Sequence, residues 1–482
     1  MGLTGELKLP VNLTILGSQS FEGCKGLEEI NFSACSALTK IGGSAFSGCT
    51  GLTGKLKLPA SLTEIRDAAF SGCMGLAGEL KLPASLTVIG AGAFYSCTGL
   101  TGNIVFPANL KEIEDGEDSP WHKKNGAFEG CTGITGVNFS SCSTLTEIGK
   151  LAFRGCSNLT SIILPSCLTA IKEGAFDGCR NLASSVTLPP SLTSIGCRAF
   201  SSCKHLEIVF STRFPAIEAG AFSDTFLKML DLSACTACTE ADIKSFKGYR
   251  IETIKLPSNF TAISQQPFED FSELWKLSLD FSACTGITTI ASRAFDYCNN
   301  IKSIKLPPNI TTIGDWSFYN CEALERIDAS GCTSLTSIGK TAFSSCKQLS
   351  SVDLSACTVL SDIGESAFAY CKNLTSVNFP VNLRNIKSEA FVYCENLTSV
   401  DLSACTSLTK ISYSAFADCT KAEVMLPENI TSIAYGAFGG ALAYGRIRSY
   451  CKKVKIKGGT QFNRIKALVI ASEYPESMIV SY

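Results

Sequence analysis

The sequence predicts an α/β repeat solenoid, and three observations lead to this prediction. The dipeptide Ala-Phe, or a close variant, recurs eighteen times in 482 residues, and most spacings are 22 to 25 residues. A cysteine follows the phenylalanine by three residues in fourteen of these copies. Each copy also contains a short run of alternating apolar residues. Because one copy cannot bury its own apolar face, neighbouring copies must stack on one another.

Each copy contains three pieces, which are well marked around Val400. Val400 and Leu402 alternate with polar residues, which predicts a short strand with one inward face. The second piece, Leu408 to Ile411, predicts another short extended segment. In the third piece Phe416 and Cys419 are three residues apart, which predicts that both lie on one face of a single helical turn.

Three variants of the copy account for the spacings. The shortest ends its strand at a proline, which cannot donate to a neighbouring strand, and advances by 23 residues. A second variant adds one residue before the strand and advances by 24. The third replaces Leu-Pro by Ser-x-Cys, lengthens the turn and advances by 25.

The repeat pattern changes at three places. Residues 114–125 form a polar insertion that contains Trp121, and we expect either a surface loop or a binding loop there. Residues 204–275 are irregular, because Thr225, Tyr249 and Phe271 replace the cysteine. This irregularity indicates either drift with compensating apolar residues or a junction between two arrays. Residues 1–440 are thus predicted to form the solenoid.

Residues 441–482 are predicted to form a C-terminal cap, because a terminal repeat needs a polar cover. The segments around Val454 and Ala467 are interpreted as strands of this cap. A basic surface for a polyanion is the alternative, since eight cationic residues gather here: Arg446, Arg448, Lys452, Lys453, Lys455, Lys457, Arg464 and Lys466. No comparable N-terminal cap and no secretory apolar region follow Met1, so we expect a truncated or processed chain.

Most of the 25 cysteines are expected to be buried, reduced thiols. Twenty-one occupy one of two fixed positions in the repeat, either three residues after the phenylalanine or in the Ser-x-Cys turn. Free cysteine behaves as a small apolar residue, and an odd number cannot pair completely. The pair Cys235 and Cys238 has no second pair or histidine nearby, so it is a weak candidate for metal binding.

Composition excludes several classes of protein. Forty-two basic residues face 43 acidic ones, which argues against a nucleic-acid partner. No apolar run approaches the roughly 18 residues of a membrane helix, so we expect no membrane insertion. The two histidines occur in unrelated contexts, and no phosphate-binding loop or nucleophile elbow is present. The sequence therefore predicts no enzymatic activity and no cofactor.

The repeated unit resembles the BspA-like leucine-rich repeats of microbial surface proteins. Residues 366–386, SAFAYCKNLTSVNFPVNLRNI, are a representative copy, and the resemblance extends from about Leu3 to Phe438. It implies a curved solenoid with a parallel sheet on the concave side. It also implies a surface or secreted protein of a microbe that adheres to host matrix proteins such as fibronectin and fibrinogen.

The candidate partner-binding residues lie at the outward position of the strand, between its two inward apolar residues. We expect Lys8, Lys57, Lys81, Val105, Ile163, Lys255 and Lys305 to contact a partner there, together with Trp121 in the insertion. The N-terminal third of this row is basic and its C-terminal part is acidic. This distribution indicates a partner-binding surface whose charge changes along the solenoid.

A second interpretation assigns the acidic members of the row a structural role. Asp or Asn accompanies the Ser-x-Cys variant in seven cases: Asn31, Asn138, Asp231, Asp280, Asp328, Asp353 and Asp401. Such side chains bond to local backbone near turns. The lysines are not explained in this way, although a solvated strand face would also accommodate them.

The predicted function is non-enzymatic binding of proteins, as an adhesin at the cell surface or in secreted form. An intracellular leucine-rich-repeat scaffold or effector is an alternative, for which many reduced cysteines would be natural. A surface-coat component that associates with copies of itself is a third possibility. The three differ in partner, which is a host protein, a cytosolic protein or a second copy of the chain.

Overall fold

The computed structural model describes residues 3–118, 123–204, 206–246, 248–263, 277–441 and 447–482. The chain divides into two compact units. Unit 1 contains residues 1–237 and 249–251, and unit 2 contains residues 238–248 and 252–482. Within each unit a longer strand, a two-residue strand and a tight turn follow one another and repeat.

The strands of unit 1 form two parallel series. The longer strands are Thr4–Lys8, Gly26–Asn31, Gly102–Val105, Ile134–Asn138, Ser161–Ile163, Ser185–Thr187, Leu206–Val209 and Phe226–Asp231. The two-residue strands are Ile15–Leu16, Lys40–Ile41, Glu64–Ile65, Val88–Ile89, Glu112–Ile113, Glu147–Ile148, Ala170–Ile171, Ser194–Ile195 and Ala216–Ile217. Isolated parallel bridges, including Lys57 with Lys81, continue the longer series between Gly54 and Leu100.

Unit 2 repeats this arrangement. Its longer strands, each paired in parallel with the next, are Leu277–Asp280, Ile301–Lys305, Arg326–Asp328, Ser351–Asp353, Ser376–Asn378, Ser399–Asp401, Glu423–Leu426, Lys453–Ile456 and Ile479–Ser481. The strand Arg250–Lys255 contains the boundary between the units and pairs through Thr253–Lys255 with the first of these. The two-residue strands are Thr289–Ile290, Thr312–Ile313, Ser337–Ile338, Asp362–Ile363, Asn385–Ile386, Lys410–Ile411 and Ser432–Ile433.

The apolar residues that the pattern placed inside are buried. In the copy around Val400 none of the inward side chains is more than 1% exposed: Leu397, Val400, Leu402, Cys405, Leu408, Ile411, Ala415, Phe416 and Cys419. The solenoid prediction is thereby confirmed at the level of parallel strands and core.

The repeat phenylalanines form a continuous ring stack inside each unit. Successive ring centroids are 5.2–5.7 Å apart from Phe21 to Phe222. They are 4.9–6.2 Å apart from Phe295 to Phe438. Ring planes deviate by at most 12°. Such aromatic contacts add stabilisation beyond the burial of area alone, so each ring stabilises two neighbours.

In the described repeats the Phe-x-x-Cys segments are turns and not the predicted single-turn helices, so this prediction was wrong. The phenylalanine instead lies between two tight turns, because the residues two before and two after it have positive φ, as Ser44 (54°) and Gly48 (70°) do around Phe46. The Phe46 N–H donates to Ala69 O of the next repeat at 2.8 Å rather than back along its own chain. A spacing of three between Phe and Cys suits this double turn as well as a helix. The short helix Glu240–Lys244 precedes Phe246, whose repeat lacks this cysteine.

Cysteine thiols form hydrogen bonds between each turn and the turn of the preceding repeat. The Phe46 carbonyl accepts from the Cys49 N–H (3.1 Å) and from the Cys73 Sγ of the next repeat (3.1 Å). Within the described residues twelve Phe-x-x-Cys thiols donate in this way, at 2.9–3.4 Å. All 25 cysteines are free, and burial raises the pKa of Cys156 and Cys371 to about 12. These thiols are therefore structural donors and poor nucleophiles.

Two of the three substitutions in the irregular region can be explained. The hydroxyl of Thr225 donates to Phe200 O at 2.5 Å, in the place of the cysteine thiol. The ring of Tyr249 packs edge-on against Phe222 at 5.8 Å, and its hydroxyl accepts from the Gly220 N–H at 3.0 Å. The replacements thus supply polar partners as well as apolar volume. Phe271 lies outside the described residues.

The C-terminal segment combines strand and helix. The strand predicted around Val454 is present as Lys453–Ile456, whereas the segment around Ala467 belongs to the helix Phe462–Ala471. The strand assignment there was wrong, because Ile465 and Val469, one helical turn apart, are the residues that this segment buries. The other described helices are Glu240–Lys244 and the short 3-10 turn Glu476–Met478. An antiparallel pair of strands, Gly439–Ala441 and Ile447–Tyr450, precedes the strand Lys453–Ile456.

Several of the basic residues in this segment are already paired. Glu423 binds Lys452 and Lys455, both at 2.8 Å, and these ammonium groups lower its pKa to about 2. Lys457 pairs with Glu428 at 2.9 Å and Lys466 with Glu476 at 2.8 Å. These pairings favour the cap over a surface for polyanions.

Replacing Phe343 by alanine should lower the free energy of unfolding by ~3–5 kcal/mol, as other large-to-small core changes do. The ring is 1% exposed and contacts Phe318 and Phe368, at 4.9 and 5.2 Å between centroids. Urea unfolding measures the loss, and Phe343→Leu, which keeps most of the volume, is the control. An alanine variant that unfolds like the parent would refute the inward placement of the ring.

Candidate functional site

Parallel pairing aligns the outward strand positions into rows. In unit 1, Lys57 is in register with Lys81, and Asn138 lies between Val105 and Ile163. Lys8 is in register with Asn31 at the first strand pair. These side chains project away from the core, because the residues on either side of them face inward.

The corresponding row of unit 2 alternates in charge at its beginning. Lys255, Asp280, Lys305 and Asp328 are successive partners across four strands. Further on, Asp353 is in register with Asn378, and Asp401 with Met425. The lysines therefore have carboxylates directly beside them, and their charge is largely balanced within the row.

Lys57 and Lys81 differ from the other predicted lysines. Lys8 is 3.7 Å from Glu6, whereas neither Lys57 nor Lys81 has an ion pair within the part of the chain that is described. Both are exposed. Like charges directly opposite one another on adjacent strands repel. Lys57 and Lys81 thus form a cationic doublet that makes no ion pair with the described residues.

Two exposed apolar residues follow the doublet. Val105 is 49% exposed and Ile163 is 51% exposed, both on the face that carries Lys81. A shallow hollow of about 560 Å³ beside Val105 is lined by Glu79, Lys81, Asn103 and Pro107, among others. A hollow of about 580 Å³ lies beside Lys57. Lys57, Lys81, Val105 and Ile163 are called the lysine–valine face below.

The acidic and amide members of the outward rows fold back onto their own turns. In all seven Ser-x-Cys repeats the Oδ1 atom accepts from the backbone N–H two residues later, at 2.8–3.0 Å. The structural interpretation of these residues is confirmed. Hydrogen bonds from Ser330 lower the pKa of Asp328, and those from Ser355 lower the pKa of Asp353.

The model of the BspA type leucine-rich repeat region matches this chain in six copies, over residues 3–117, 123–228, 146–275, 277–398 and 354–457. These matches cover most of its length. The chain belongs to the BspA-type leucine-rich-repeat family. Among curated proteins none matches it.

Several of the solved structures that resemble this BspA-type protein come from bacteria. A leucine-rich repeat protein from Bacteroides ovatus is 23% identical, with a TM-score of 0.36, over 82% of this chain and 88% of that one. A leucine-rich cell surface protein from Faecalibacterium prausnitzii is 22% identical, with a TM-score of 0.23, over 77% and 82%. A leucine-rich repeat protein from T. pallidum is 20% identical, with a TM-score of 0.19, over 56% and 77%.

The insertion of this BspA-type chain is anchored at its base. Its strands Glu117–Asp118 and Lys123–Lys124 pair antiparallel, and Lys124 Nζ is 3.1 Å from Asp67 Oδ2. Burial raises the pKa of Glu114, and a hydrogen bond with Asp67 raises it further. Sequence analysis missed this carboxyl pair because its members are 47 residues apart. Trp121, the predicted anchor, lies outside the described residues.

The described ranges contain no group of three or more His, Cys, Asp or Glu side chains that could hold a metal ion. Cys235 and Cys238 are both buried and free. No helix in the described part is long and apolar enough to cross a membrane.

The depressed pKa values of Asp328 and Asp353 predict a loss of stability in acid. A carboxylate whose folded pKa lies below its unfolded value, about 3.9, stabilises the fold above that value, and this contribution disappears as pH falls through the folded pKa. The double variant Asp328→Asn/Asp353→Asn should be less stable than the parent at pH 7, because asparagine keeps the hydrogen bond, as Asn31 and Asn138 do, but lacks the carboxylate charge. It should lose less stability than the parent between about pH 5 and pH 2.

The comparison requires urea midpoints of parent and variant across this pH range. Glu252→Gln/Glu473→Gln is the matched control, since both carboxylates are exposed and neither forms an ion pair in the described residues. Parallel pH profiles of the parent and the double Asn variant would contradict the assignment.

Proposed function

We propose that this BspA-type protein is a non-enzymatic, protein-binding solenoid whose partner docks on the lysine–valine face. The observation that carries the proposal is the unpaired, in-register doublet of Lys57 and Lys81 next to two exposed apolar residues. A partner with acidic groups opposite the doublet would form the ion pairs that Lys57 and Lys81 lack among the described residues. An apolar side chain of that partner would cover Val105 and Ile163.

The cellular setting that we propose is the surface of a microbe, or its secreted proteins. The family supports this setting, since its members are typically bacterial cell-surface proteins. In this role the chain would act as an adhesin for host matrix or cell-surface proteins. The open hollows beside Lys57 and Val105 suit a macromolecule better than a small substrate, which prefers a deep apolar cavity.

A second candidate function is an intracellular scaffold or effector. The observation in its favour is that all 25 cysteines are free and 22 of them are buried. Thiols persist most readily in a reducing compartment. Burial also protects them in an oxidising one, so the thiols alone do not decide between the two functions.

The proposal predicts saturable, salt-sensitive binding to an immobilised matrix protein such as fibronectin or fibrinogen. Charge reversal in Lys57→Glu/Lys81→Glu should weaken this binding about tenfold or more, because like charges would then face the acidic groups of the partner. The parent should bind more weakly at moderate than at low salt. Surface plasmon resonance on a panel of matrix proteins measures both effects.

The matched control is Lys25→Glu/Lys111→Glu, which reverses two exposed lysines elsewhere in unit 1. Circular dichroism establishes that each variant is folded. Equal weakening of binding by both double variants would show that binding depends only on net charge, and it would contradict a site at the lysine–valine face. A folded parent that binds no matrix protein would remove the adhesin function and favour the intracellular one.

A further inference from the structure

Five of the described tyrosines at the phenylalanine turns of unit 2 are exposed. One of them, Tyr297, packs edge-on against Tyr319, and the other four form two stacked pairs. Tyr370 and Tyr393 follow the repeat phenylalanine by two residues, and Tyr413 and Tyr435 precede it by three. They are 36–44% exposed. Together these four residues are called the tyrosine edge.

Two of these tyrosines occupy backbone positions that disfavour large side chains. Tyr370 has φ = 60° and Tyr393 has φ = 59°, in the left-handed region that bulky residues rarely adopt. In unit 1 most of the equivalent positions hold glycine: Gly23, Gly48, Gly72, Gly130, Gly155 and Gly178. The turn itself therefore does not require an aromatic residue here, and folding would favour glycine. An exposed ring at such a position indicates a contact outside the chain.

Stacking within each pair leaves the ring edges and the hydroxyls available. Tyr370 and Tyr393 stack with centroids 4.9 Å apart and planes at 14°, and Tyr413 and Tyr435 lie 6.4 Å apart at 13°. Within a pair, stacking covers one negative face of each ring and leaves the positive edges open. None of the four hydroxyls makes a hydrogen bond to any described residue. The tyrosine edge thus presents hydrogen-bond donors and positive ring edges, which calls for a ligand rich in acceptors.

The ligand need not be charged. The nearest charged residues along the chain, Lys372 and Glu395, pair with each other at 3.0 Å. A neighbouring carboxylate, Asp418, raises the pKa of Tyr393, which keeps that phenol protonated and able to donate. A neutral polysaccharide stacks best on open ring faces, and the pairing already covers one face of each ring.

We propose that the tyrosine edge binds a proline-rich polypeptide segment in the polyproline II conformation. Such a segment has free carbonyl acceptors throughout and few N–H donors, because proline lacks the N–H. Its turn of three residues advances about 9 Å, close to two steps of the stacked turns at about 4.8 Å each. The inference rests on the proposed protein-binding function but uses a surface separate from the lysine–valine face.

Calorimetric titration of the full chain with a ten-residue proline peptide tests this inference. The parent should bind it saturably, and Tyr370→Gly/Tyr393→Gly should bind it at least tenfold more weakly. Glycine suits the positive φ of both positions, so this variant should fold as well as the parent. The matched control is Ser345→Gly, at the same position of another turn (φ = 63°), which should bind like the parent.

Tyr370→Phe/Tyr393→Phe keeps the rings and removes the hydroxyls, so it should bind severalfold more weakly than the parent. No binding of the proline peptide, or equal binding by the parent and the glycine variant, would overturn the inference. Binding of cellohexaose in place of the peptide would overturn it too and assign the edge to polysaccharides. Lys57→Glu/Lys81→Glu should bind the proline peptide like the parent. Loss of binding to the matrix proteins and loss of binding to the proline peptide are therefore independent results.

Discussion

The turn that carries the stacked phenylalanine holds each repeat to its neighbours. Around Phe46, alternate N–H groups close the local turns, while the Phe46 N–H reaches the next repeat. The Phe46 carbonyl accepts once from its own turn and once from Cys73 of the next repeat. Buried backbone groups must find partners, and here half of them find these only across the repeat boundary. A repeat by itself would leave these groups without hydrogen-bond partners and would expose its phenylalanine to water.

This constraint separates the positions that the fold needs from those that are free to vary. The fold requires the inward apolar residues, the phenylalanine and a thiol or hydroxyl donor, and Thr225 shows that the donor need not be sulfur. It also requires an acceptor such as Asp401 where the Ser-x-Cys turn begins. The lysine doublet of unit 1 and the tyrosine edge of unit 2 occupy positions that these requirements leave open. Binding properties can therefore differ between the units while the turns stay the same.

Periodicity predicts the inward residues well, because burial of Val400 or Phe416 depends only on the position within the repeat. The structural role of Asp401 could also be predicted, since it always occurs with the Ser-x-Cys turn. The double turn could not, because a Phe-to-Cys spacing of three fits it and a helix equally. The helix containing Ala467 was missed since four apolar residues suit either structure. The tyrosine edge was missed because residues such as Tyr370 and Tyr393 are adjacent only after the turns stack.

Amide hydrogen exchange at the phenylalanine turns tests the central claim most directly. If these turns hold the repeats together, the Phe343 amide, which donates to Ala367 O at 2.7 Å, should be as protected as the Val352 amide of the adjacent long strand. Both should exchange only through unfolding of the stack. Fast exchange at Phe343 beside a protected Val352 would contradict the account. The sheet alone would then hold the repeats together, and the turns would be loops without a part in stability.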